Sequence, residues 1–211
     1  MVTMTAPDVT ARRLVVCGYA AVASAVIALA VGLTDLLADD SVPKSQWSYP
    51  LTPTVLWYVS VALALVHVLQ ALGFVGIAIA QPYGASRAAH VTTWVAVGGF
   101  VLFAVAELLS GAIGGQDNDS GAAGVVGGVF GVATLLTAIG GVVAGIAILR
   151  RRQWTGPGAW SVLLTAVAIL LLVTPANISG AQVPRTVALL VWSLLFVPLG
   201  LAVARSRPAD G

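Results

Sequence analysis

Glu107 is the only glutamate in the chain, and it falls inside a long apolar run. It stands about six residues from the C-terminal end of that run, which on a helix is a depth of about 9 Å. A charge held in lipid costs roughly 2.5 kcal/mol or more at a helix centre, so such a carboxyl must face protein or water. Two roles fit it: a proton- or cation-binding group, or a hydrogen-bonded packing residue near the outer interface. In the preceding apolar run, Ser60, His67 and Gln70 recur at steps of seven and three. That spacing sets them on one helix face as a polar stripe. Their chemistry is that of a proton relay or a substrate-lining wall. The alternative is interhelical hydrogen bonding, commonly under about 2 kcal/mol per contact.

Depth decides which of these groups are expected to meet. His67 should lie about 20 Å below the outer surface and Glu107 about 9 Å. The mismatch argues against a direct pair. Tyr58 and Ser60 match Glu107 better, and Asp35 closes the first apolar run near the same surface. Asp35, Tyr58 and Glu107 are therefore expected to line one outward-facing polar vestibule, with His67 and Gln70 further along the pathway.

No catalytic set accompanies them. A single intramembrane histidine without a second ligand at metal spacing makes no metal site, and the one cysteine, Cys17, allows neither an intramolecular disulfide nor a cysteine-based metal site. The Walker, His-Glu-x-x-His and Gly-x-Ser-x-Gly patterns are absent. No enzyme activity, cofactor or metal is expected.

The elements that must position these residues follow from composition. Of 211 residues, 59% are hydrophobic and 9% charged, against about 25% charged in a soluble domain. Mean hydropathy is +0.99. Lipid must be the solvent for most of this surface. The few basic residues form no clustered face, which excludes nucleic acid as a partner. Apolar runs predict spans at about 14–37, 54–80, 91–113, 124–149, 159–174 and 185–204, with the first ten residues frayed, Pro175 ending the fifth span and Pro198 kinking the sixth. The first run is too long for a normal signal peptide and is expected to be retained.

The fold class is therefore all-α: a polytopic integral membrane protein, a single-domain bundle of six transmembrane helices. Arg12, Arg13, Arg87, Arg150, Arg151, Arg152, Arg205 and Arg207 fall on one side of it, against Lys44 and Arg185 on the other. That bias predicts cytoplasmic termini. Richness in Ala, Val, Gly and Arg suggests a high-GC bacterial source and hence a bacterial inner membrane. In the fourth run Gly127, Gly131, Thr134, Ala138, Gly141 and Gly145 alternate at steps of four and three, a small-residue seam that lets another backbone approach closely. This helix is expected at the centre of the bundle, and its seam is a surface for another membrane protein or a second copy. Two functional readings result: a non-enzymatic structural or regulatory membrane component, or a small proton- or cation-coupled transporter or channel using Glu107.

Overall fold

The computed structural model describes residues 6–207, and apart from one isolated bridge these form helices and their connections. Six helices are long and apolar enough to cross a membrane. They are α1 (Ala6–Leu36), α2 (Pro53–Ala80), α3 (Arg87–Ala112), α4 (Gly121–Arg151), α5 (Pro157–Ile178) and α6 (Gln182–Ala204). Local chemistry sets their starts. The hydroxyls of Thr52, Ser86 and Ser120 accept from the backbone N–H three residues on, satisfying donors that a helix start leaves free. Proline follows Thr52 directly, where its missing N–H costs nothing.

The third, fourth and sixth helices start three or four residues before the expected positions, and two further boundaries differ for reasons the structure shows. Residues 6–10 are helical rather than frayed, because Pro7 sits in the first turn, where proline is tolerated. The fifth helix runs through Pro175 to Ile178. It does so by widening: Ile169–Val173 form a π turn, and Thr174 gives both its backbone N–H and its hydroxyl (2.7 Å) to Ile169 O. The π turn shifts the hydrogen-bond register just before Pro175, which has no N–H to give. In α6 the expected kink is a break at Leu195, whose N–H bonds Trp192 O three residues back, while Pro198 can give nothing to the carbonyl four before it.

Consecutive helices pack antiparallel in a ring, which α6 closes by lying against α1, α5 and part of α2. Glycines allow the closest approaches. A Cβ on Gly140 would stand 2.8 Å from Ala96 Cβ, and one on Gly145 2.7 Å from the Leu163 backbone. Gly18 and Gly200 face each other across α1 and α6 so closely that a Cβ on either would strike the other's carbonyl. The centre of the ring holds rings of another kind. Phe74, Phe100, Phe103, Trp192 and Phe196 interlock with centroids 5.0–6.5 Å apart.

The fourth helix is not central. It packs on α3 and α5, and its seam divides. Ala138, Gly141 and Gly145 are buried, the two glycines against α5, and Thr134 is half-buried, whereas Gly127 and Gly131 face open space. Glycine supplies close approach but no volume to fill a core. The central place goes to the aromatic stretch of α6, which supplies that volume.

At one end the connections 37–52 and 113–120 knit into a cap. Trp47 N–H bonds Gln116 O at 2.9 Å, Asn118 N–H bonds Ser45 O at 2.8 Å, and the Trp47 indole donates to Ser110 Oγ at 2.9 Å. Tyr49 donates to Asp40 Oδ1 at 2.7 Å, and that bond, with the nearby carboxylate charge, raises the Tyr49 pKa. The opposite end gathers both chain ends and the α2–α3 and α4–α5 connections, which together carry eight arginines.

Candidate functional site

The structure overturns the depth argument against a pair. His67 Nε2 stands 3.6 Å from Glu107 Oε1, with both side chains largely buried. The reason is helix packing and side-chain direction. A Cβ on Gly111 would touch Ser60 Cβ at 2.9 Å, so these positions are level on α2 and α3. Four residues from Gly111, Glu107 is then level with about Ala64, only three residues or about 4.5 Å from His67 along the axis. Helical side chains lean toward their own N-terminus. In antiparallel helices the two lean toward each other, and the remaining offset closes.

Gln70 completes the group. Its Oε1 lies 2.8 Å from His67 Nδ1, and the residue is fully buried. Nδ1 faces that amide, and Nε2 is the nitrogen turned to Glu107. At 3.6 Å the two groups face each other without a direct hydrogen bond. A single proton on the pair would give either an imidazolium facing a carboxylate or an imidazole facing a carboxylic acid, and both arrangements are neutral overall. A second proton, or the loss of the first, puts a net charge in an apolar wall, which is costly.

That wall is aromatic. Phe103, one turn before Glu107, stacks on the imidazole at 5.0 Å and 22°, and Trp192 lies tilted at 6.2 Å. Trp192 is fixed in turn by its indole N–H, which donates to Thr165 O at 2.9 Å. Phe103, Trp192 and Thr165 were not legible as site residues, because aromatic and threonine residues in apolar runs read as ordinary packing. Around the group, Gln70 Nε2, Ser60 Oγ and Thr165 Oγ1 are buried without a hydrogen-bond partner among the described residues.

The expected vestibule does not form. Tyr58 is 70% exposed. It stands two residues from buried Ser60, about 200° around the helix, and so points outward. Asp35 is engaged elsewhere. Its carboxylate accepts from the Thr186 hydroxyl and lies 3.7 Å from Arg185 Nη2, while its backbone carbonyl accepts from Gln182 Nε2 at 2.6 Å. It staples the end of α1 to the start of α6. Of the five pathway candidates, Glu107, His67 and Gln70 converge; Asp35 and Tyr58 stand apart.

Comparison with protein-family models, curated proteins and solved structures finds no match for this chain.

Proposed function

We propose that the chain is a non-enzymatic multi-pass protein of a bacterial inner membrane, with both termini cytoplasmic, in which the Glu107–His67 pair holds a proton inside the bundle. It acts as a pH-responsive structural or regulatory component. The observation that carries this reading is the convergence of the sole glutamate and a buried histidine at 3.6 Å, with Gln70 holding the outer imidazole nitrogen. Eight arginines at one end against Lys44 and Arg185 at the other support the orientation. The rings of Phe103 and Trp192 cover the imidazole, and Phe74, Phe100 and Phe196 fill the bundle beyond it, which favours a closed, responsive core over an open pore.

A second reading, proton- or cation-coupled transport, draws support from the two irregular turns beside the aromatic cluster. The π turn of α5 and the break at Leu195 in α6 bracket Trp192 and are places where packing can change without unfolding a whole helix. Glu107→Gln separates the readings, since the neutral isostere fits the same space. In proteoliposomes with a trapped pH dye, the regulatory reading expects wild type and variant to leak protons equally. It also expects amide protection in α5 and α6, corrected for the intrinsic exchange rate, to change with pH in wild type and not in the variant. Proton flux in wild type that vanishes in Glu107→Gln would establish transport instead.

A further inference from the structure

At the arginine-rich end, a groove of about 630 Å³ opens between α4 and the turn that joins α2 to α3. Arg150, Arg151 and Ser86 stand at its mouth, buried Tyr83 lies beneath them, and the groove runs along α4 past Val143 and Ile146. Positions 143, 146, 147, 150 and 151 share one helical face, so charge stands at the end of the helix and apolar surface leads from it toward the bundle's middle. Arg151 is drawn over the turn at Gly84. A Cβ there would sit 3.3 Å from Arg151 Nε, and Gly84 has φ +64°, so glycine suits both the turn and the approach. Neither Arg150 nor Arg151 has an ion-pair partner among the described residues, where the ion pairs are His67–Glu107 and Arg185–Asp35. Asp35, Asp39, Asp40, Asp117 and Asp119 all lie toward the other end.

We propose that this groove binds an anionic phospholipid, its phosphate between Arg150 and Arg151 and one acyl chain along Val143 and Ile146. The chemistry matches in both parts: two uncompensated guanidiniums for the phosphate, and an apolar trough continuous with the hydrocarbon region for the chain. A soluble anion would use only the first part. The inference rests on the membrane placement proposed above, and it is independent of the proton held at Glu107.

Native mass spectrometry of the detergent-purified chain, mixed with phosphatidylglycerol or phosphatidylcholine, tests it. Wild type is expected to retain phosphatidylglycerol preferentially, and excess inorganic phosphate to leave that lipid in place. Arg150→Gln with Arg151→Gln should weaken retention roughly thirty-fold, the product of two interfacial charges. Arg205→Gln, outside the groove, should change it little. Ile146→Trp keeps every charge but fills the trough, and it should also release the lipid. Equal retention of the two lipids, displacement by inorganic phosphate, or undiminished binding in Ile146→Trp would overturn the groove. Flotation of the chain with liposomes checks the membrane placement separately: a chain that floats yet shows no lipid preference sinks only this inference.

Discussion

Gly140→Leu is expected to part α3 from α4 and to cost about 3 kcal/mol or more. Overpacking a well-filled contact ordinarily costs about 1–3 kcal/mol, with side chains and backbone shifting to accommodate it. Here the neighbours are the backbone at Thr92 and Ala96 and the Ala96 methyl, all within 2.8 Å of where a Cβ would stand, and backbone inside a helix has little room to give. The contrast lies on the same helix. Gly127 and Gly131 belong to the same small-residue pattern, but a Cβ at either meets nothing within 4 Å. Gly127→Ala and Gly131→Ala should stay within about 1 kcal/mol of wild type and lean toward stabilisation, through helix propensity. Equilibrium unfolding in mixed detergent–dodecyl sulfate micelles measures both. A Gly140→Leu protein as stable as wild type would mean that the α3–α4 contact is looser than the geometry shows.

The second large effect is expected at the polar group. His67→Leu removes the partner of Glu107, the hydrogen-bond partner of Gln70 and the ring that stacks on Phe103. Taking one member from a buried pair costs about 3–5 kcal/mol, mostly because the other is left uncompensated. The double variant His67→Leu, Glu107→Leu removes that orphaned group and should recover part of the loss. The cycle is expected to show a coupling of about 1–3 kcal/mol between the two positions. Simple additivity would mean that the pair does not interact in the folded protein. The double variant should also lose the pH response of α5 and α6.

What was legible in the chain follows from the length scale of each signal. The spans were readable because an apolar run of twenty residues integrates many weak preferences, and the ends 80, 112, 151 and 204 fall within two residues of the expected ones. The pairing of Glu107 with His67 was not, because it depends on helix rotation, on the register set by Gly111 against Ser60, and on the lean of two side chains toward each other. The same missing rotation put Tyr58 into a vestibule it faces away from. The glycine pattern was readable, but its partner was not: periodicity shows which residues share a face, and says nothing of which half of that face meets another helix. Pro175 misled because proline usually ends helices, and a π turn one step earlier removes the conflict.

The central claim is that Glu107 and His67 pair inside the bundle. Solid-state magnetic resonance in lipid bilayers tests it directly, with carbon-13 in the glutamate carboxyl and nitrogen-15 in the imidazoles. Glu107 is the sole glutamate, so its carboxyl gives one signal; His90 is the only other histidine, and His90→Gln identifies it. The account predicts a dipolar coupling between the Glu107 carboxyl carbon and His67 Nε2, as their 3.6 Å approach requires, and its loss in His67→Leu. A Glu107 carboxyl with no coupling to His67 would contradict it.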